Sequence, residues 1–327
     1  MTLVELLVVL AIVGLLAVTA LPLLVGNRDK KSIRNAADTA ESMFSHVSTR
    51  AMTSPTGAAV WLETGTSGAG AFTAVTTLAL ARVPASATGT TTIARSAMNP
   101  ATDVTVSLSL SASLASDLPA PIEFAGVPGM LTATGTATVT SATTSITGAV
   151  NRTGWNSSPP LASTAAVPYT LYLPPRPSSL AAATPLPDGV AIDLSASRIG
   201  LGSTATPLVN VRRLAVEYDR TGSPTTVWSS TSSTGGGWSR LVLTPETPVV
   251  LAIGMQSQAN APWVAKPTDD DPGCSWQSPY ARWLVIDPRN GGARVIEAGF
   301  SGNALTANDA FDAAIAPVVE DFKNTRQ

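Results

Sequence analysis

Few residues in this chain are of types that do chemistry, and their placement decides which chemistry remains. Among 327 residues there is one histidine, His46, and one cysteine, Cys274. A multi-histidine zinc site and most Cys-His nucleophile pairs are therefore excluded, and a single thiol cannot form an internal disulfide. No GxSxG, Walker or dinucleotide signature stands in a strand-to-helix context that would let it work. Asp269, Asp270 and Asp271, beside Pro272 and Gly273, offer oxygen ligands for calcium. Consecutive acids cannot all converge on one ion as alternate ones can, so a solvated loop is the preferred reading and no metal or cofactor is expected. That leaves Glu5, the one charge between Met1 and Val25. An ionised carboxylate in such an apolar run costs roughly 2.5 to 3.5 kcal/mol on membrane-insertion scales and requires a partner. If Met1 is a free N-terminus, its ammonium can meet the Glu5 carboxylate of a neighbouring subunit, neutralising two charges that are costly alone. Such a pair would set the axial register between subunits, so the chemistry is that of assembly and an enzyme is not expected.

The elements that must position this pair start with the run itself. Residues 1–25 would form about 37 Å of helix at about 1.5 Å per residue, enough to span a bilayer core. The run is apolar from its first residue, without the basic flank and cleavage site of a secretory signal, and reads as retained. Gly14, Thr19 and Pro22 make a break in this helix inexpensive, since proline removes a backbone hydrogen bond and glycine costs about 1 kcal/mol relative to alanine. A charged collar follows at Gly26 to Lys31. Ile33, Ala36, Ala37, Ala40, Met43, Phe44, Val47 and Ala51 then recur at helical period, which extends the helix to about Thr53, before Ser54-Pro55. His46 falls on the polar side with Ser42 and Arg50 and reads as solvent-facing.

The segment TLVELLVVLAIVGLLA, Thr2 to Ala17, strongly resembles the mature N-terminus of type IV pilins and type II secretion pseudopilins. Thr2, Leu3, Glu5 and the apolar run match that pattern, whereas Met1 stands where the family usually has Phe. The resemblance implies a leader cut by a prepilin peptidase and methylation of the new N-terminus at Met1. It further implies residence in the cytoplasmic membrane before assembly, inner-membrane assembly machinery as partner, and a homo-oligomeric helical filament on the bacterial cell surface. It also implies that the stretch around Gly14, Thr19 and Pro22 loses helicity on assembly. The expected role is the main pilin; the alternatives are a minor pseudopilin of type II secretion and a membrane-anchored binding protein or adhesin.

Composition does not point to a nucleic-acid binder: net charge is −2 and only 13% of residues are charged, which leaves no electrostatic footprint for DNA or RNA. Beyond the helix the period changes to that of strands from Ala58, with short candidates at Ala59 to Glu63 and Phe72 to Val75. From about Pro84 to Pro185 the chain becomes rich in Thr, Ser and Ala. There Val104, Val106, Leu108 and Leu110 alternate strictly with hydroxylated residues, and Thr132 to Thr147 behaves similarly, which reads as an inserted β-rich module. Asn151-Arg152-Thr153 and Asn156-Ser157-Ser158 fit the N-glycosylation pattern. Further on, Val190 to Leu194, Val211 to Tyr218, Thr225 to Trp228, Val249 to Ile253, Arg282 to Ile286 and Ala293 to Glu297, with turns at Asp219 to Gly222 and Asp287 to Gly292, read as antiparallel hairpins. The stretches PDGVAIDL and LAVEYDRTGSPTTV loosely resemble H-type minor pseudopilins over Ala58 to Leu62 and Pro187 to Val227. Thr306 to Phe322 reads as a C-terminal helix with Asn308 or Asp309 as N-cap, divided or kinked at Pro317. The tryptophans, among them Trp155, Trp228, Trp238, Trp263, Trp276 and Trp283, read as core or interface residues.

The expected fold is therefore α+β: a long N-terminal hydrophobic and amphipathic helix, a largely antiparallel β head, an inserted β-rich module and a short C-terminal helix. The expected boundaries are 1–25 for the transmembrane or filament-core helix, 26–54 for its amphipathic half, 55–84 for the start of the head, 85–185 for the module, 186–305 for the rest of the head and 306–327 for the terminal helix.

Overall fold

The computed structural model describes residues 3–65, 74–95, 103–110, 120–125, 131–140, 143–151, 163–202, 205–231, 237–259, 261, 273–299 and 307–324. Helix α1 (Leu3–Thr53) precedes β1 (Ala58–Glu63), β2 (Ala74–Val75) and β3 (Thr77–Arg82). Six further strands follow: β4 (Ala87–Arg95), β5 (Asp103–Leu110), β6 (Ala120–Phe124), β7 (Leu131–Thr140), β8 (Thr143–Asn151) and β9 (Ser163–Leu171). Next come β10 (Arg176–Pro177), β11 (Thr184–Pro185), β12 (Val190–Ile199), β13 (Thr206–Pro207), β14 (Arg213–Tyr218) and β15 (Pro224–Ser230). The chain ends through β16 (Trp238–Val242), β17 (Val249–Met255), β18 (Arg282–Ile286), β19 (Ala293–Glu297) and helix α2 (Ala307–Asn324).

These strands form three bodies of sheet. A seven-stranded sheet runs β10-β3-β1-β14-β15-β16, with β11 also on β3. A six-stranded sheet runs β13-β12-β17-β18-β19, with β2 also on β12. Strands β4-β5-β8-β7-β6-β9 close into a barrel, which leaves no exposed sheet edge there. The expected α+β class is corrected by this architecture: strands hold 41% of the structure against 27% helix, so the protein is mostly β with two α-helices among the described residues. The side chains of α1 are described continuously only from Arg28 onward. The expected membrane-spanning segment is corrected as well, because among the described residues no helix is long and apolar enough to cross a membrane.

Strand periodicity explains the layering. Side chains alternate between the two faces of a strand. In β1, Ala58, Val60 and Leu62 enter the main core, whereas Ala59 and Trp61 join a cluster on the other face. In β17, Val249, Leu251 and Ile253 face the main core while Val250 and Ala252 face α2; β18 repeats this with Leu284 and Ile286 against Trp283 and Val285. Both faces of the central strands are thus buried, which is why they read as continuous apolar runs. The main core unites α1 with the inner faces of both sheets. The second face of the six-stranded sheet is covered by Ala314, Ile315 and Val318 of α2.

Helix α2 starts at Ala307, so Asn308 and Asp309 lie in its first turn and neither is the N-cap. Pro317 sits inside the helix. Trp283 Nε1 donates to the Ala314 carbonyl at 2.8 Å, and Arg294 pairs with Asp321. Of the tryptophans, Trp61, Trp228, Trp238 and Trp283 are buried, and Trp276 is partly buried; Trp155 and Trp263 lie outside the described residues.

Candidate functional site

The second half of α1 is held by the head along one face. Ile33, Ala36, Ala37, Ala40, Phe44, Val47 and Ala51 are all fully buried. Small alanines on this face let the helix approach both sheets closely, and Phe44 supplies the largest single payload. Polar locks fix its rotation and height. Ser48 Oγ, itself buried, donates to the Gly222 carbonyl at 2.7 Å. Gly222 lies in the turn between β14 and β15, and Gly291 in the turn between β18 and β19. Both have left-handed backbones, with φ of +81° and +70°. A Cβ on Gly291 would collide with the Gly222 carbonyl, and one on Gly222 would meet Ser48 Oγ and the end of Met52. The two hairpin turns, one from each sheet, therefore meet over Ser48. Below them, Arg220 donates through Nε and Nη2 to the Pro55 carbonyl just beyond the helix, and Asp219 Oδ1 accepts from Thr221 N, Thr221 Oγ1 and Ser223 N to hold that turn.

The first half of α1 has a different character. Leu6, Val9, Leu10, Ile12 and Val13 are between 49% and 63% exposed. Glu5 belongs to α1, but its side chain lies outside what is described, as does Met1. The backbone is helical through Gly14, Thr19 and Pro22, so an interruption at these residues is not a property of the isolated chain. His46 is exposed, and it lines a shallow groove of about 430 Å³ with Asp38, Ser42 and Thr184. Asp269, Asp270 and Asp271 lie outside the described residues, and among the described residues no cluster of metal-ligating side chains occurs.

A second constellation joins the barrel to the seven-stranded sheet. Tyr172, just past β9, donates to Glu123 Oε2 of β6 at 2.7 Å. The Arg240 guanidinium lies 4.1 Å over the Tyr172 ring, a cation–π contact. Trp228 Nε1 donates to Glu217 Oε2 at 2.7 Å. Burial pushes the Glu217 carboxyl above its ordinary range, against the lowering effect of the Trp228 hydrogen bond and of Arg240. Tyr172, Glu217, Trp228 and Arg240 surround a cavity of about 300 Å³ with Val83, Pro84 and Leu173. Glu217, Trp228 and Arg240 are far from Tyr172 in sequence, and no periodicity signalled their convergence. The same holds for Ser48, Gly222 and Gly291, although the turn composition of DRTG and PRNGG marked the two glycine positions.

Comparison of the chain with protein-family models, with curated proteins and with solved structures finds no match. The functional reading therefore rests on the residues themselves.

Proposed function

We propose that this protein is the main structural subunit of a type IV pilus-like extracellular filament, assembled as a homo-oligomer through the N-terminal half of α1. The observation that carries this reading is the contrast along one helix. Residues from Ile33 onward are locked into the head by core packing and by Ser48, whereas Leu6, Val9, Leu10, Ile12 and Val13 leave about half of their apolar side chains exposed. Burying such side chains contributes about 1.5 to 3 kcal/mol each, which favours bundling with copies of the same helix. In that bundle the Glu5 carboxylate takes the N-terminal amine of a neighbour as its partner, and the repeat is head-to-tail, so it propagates without closing. A prepilin peptidase, N-terminal methylation at Met1 and an inner-membrane assembly machinery belong to this reading through the sequence resemblance. Loss of helicity near Gly14, Thr19 and Pro22 belongs to the assembled state.

The test is electron microscopy of sheared surface material from cells making the wild-type chain, Glu5→Ala or Glu5→Gln. The reading expects abundant filaments in the wild type and at least a tenfold loss in both variants. Filaments that persist undiminished in both variants overturn the role given to Glu5.

A further inference from the structure

The cavity where the barrel joins the seven-stranded sheet holds a cation whose donors are unmatched. Register sets Arg240 of β16 opposite Trp228 of β15, and Trp228 opposite Ala215 of β14, two residues before Glu217. Side chains alternate along a strand, so Arg240, Trp228 and Glu217 share the face of the sheet turned away from α1. Both connections to the barrel complete the cavity of about 300 Å³: Val83 and Pro84 on the way in, Tyr172 and Leu173 on the way out. The Arg240 guanidinium is stacked there, not bonded. It lies 4.1 Å over the Tyr172 ring and 6.0 Å from the centroid of Trp228. Its Nε is buried without a hydrogen-bond partner, and among the described residues the guanidinium makes no hydrogen bond or ion pair.

The acids nearby are committed elsewhere. Glu217 Oε2 accepts from Trp228 Nε1, and Glu123 Oε2 accepts from the Tyr172 hydroxyl. A guanidinium presents its N–H groups as a planar fork that matches the two oxygens of a carboxylate, and the aromatic ring beneath Arg240 holds that fork in one orientation. The walls supplied by Val83, Pro84 and Leu173 are apolar.

We propose that this cavity binds a small organic carboxylate, held at its charged end by the Arg240 guanidinium and along its apolar body by Val83, Pro84 and Leu173. Ligand pockets run from about 300 to 1,000 Å³, so this one takes a short body. An inorganic anion would meet the fork but leave the apolar walls uncovered. Glu217 makes binding depend on pH. Burial favours its protonated form and Asp219 acts in the same direction, against the Trp228 hydrogen bond and Arg240. Protonated, Glu217 adds no negative charge beside the ligand; ionised, it repels the ligand and competes for the field of Arg240. Affinity therefore falls as pH rises through the Glu217 titration. This inference does not depend on filament assembly.

The experiment is isothermal titration calorimetry of the full chain in non-ionic detergent and a carboxylate-free buffer, with butyrate, butyramide and inorganic phosphate as probes. It is run at about pH 6 and about pH 9, a range in which butyrate stays ionised. The expected result is saturable binding of butyrate that weakens at the higher pH, with no binding of butyramide and weaker binding of phosphate. Glu217→Gln keeps an acceptor for Trp228 and is expected to bind butyrate equally at both pH values. Arg240→Lys keeps the charge but not the fork and is expected to lose about tenfold in affinity, with near-ultraviolet circular dichroism confirming that the variant is folded. Absence of saturable butyrate binding to the wild type at both pH values overturns the proposal. So does butyramide or phosphate binding as tightly as butyrate, or an Arg240→Lys chain that binds butyrate undiminished.

Discussion

At the residue scale, positions separated by long stretches of chain decide how α1 is held. Gly291 has φ of +70° and no space for a Cβ beside the Gly222 carbonyl. Gly291→Ala should therefore cost on the order of 3 kcal/mol, combining left-handed strain with a backbone collision; chemical denaturation measures it, and a loss below about 1 kcal/mol would remove this lock from the account. Glu217 gives a pH signature. Its carboxyl is raised above the unfolded value by burial, so the fold favours the protonated form. Its contribution is fully present below the unfolded value of about 4.5 and is lost as pH rises through the folded value. Glu217→Gln retains an acceptor for Trp228 without a charge, so it should exceed the wild type in stability at neutral pH. The advantage should vanish in melting curves at pH values below the ordinary carboxylate range.

Element-scale features differed in how plainly they were written in the sequence. The helical repeat Ile33, Ala36, Ala37, Ala40, Phe44, Val47 and Ala51 was legible because one buried face at that period has few alternatives, and all seven residues are fully buried. Strict alternation in Val104 to Leu110 falls within β5, and the threonine-rich Thr132 to Thr147 spans parts of β7 and β8. Barrel closure was not legible, because pairing of β4 with β9 joins residues far apart in sequence and composition does not encode register. One register position does show its logic afterwards: Gly89 is paired with Tyr169, and the tyrosine ring occupies the space a Cβ would need. β10 and β11 return to β3, with Arg176 opposite Arg82. Because these two residues are cross-strand neighbours, the chain on either side of the barrel begins and ends close together. Replacing residues 84–173 by a short Gly/Ser linker should leave the head folded, with its tryptophan near-ultraviolet circular dichroism retained. Loss of that signal would show that the head needs the barrel.

At the whole-molecule scale, the fold class was misjudged for a physical reason. The apolar N-terminal run and its amphipathic continuation dominate the sequence visually, yet nineteen short strands among the described residues outweigh them. Short strands buried on both faces carry neither the alternation of a half-exposed sheet nor the length of a helix. Of the candidate residues, Glu5 is marked in the sequence as a lone acid in an apolar run, whereas the convergence of Ser48, Gly222 and Gly291 is not, because it joins residues far apart in the chain. Phe44 ties the scales together, because it is fully buried where α1 meets both sheets. Phe44→Ala should cost about 3 to 5 kcal/mol in unfolding experiments, and a cost near zero would mean that the head stands without α1.

The most direct measurement is a helical reconstruction by electron microscopy of filaments purified from the cell surface, with mass spectrometry of the same preparation. The account predicts that this chain is the predominant component. It also predicts residues 3–25 in a central bundle, with each Glu5 beside the N-terminal amine of a neighbour. Filaments in which the chain is a trace component, or whose subunits touch only through their β heads, would contradict it.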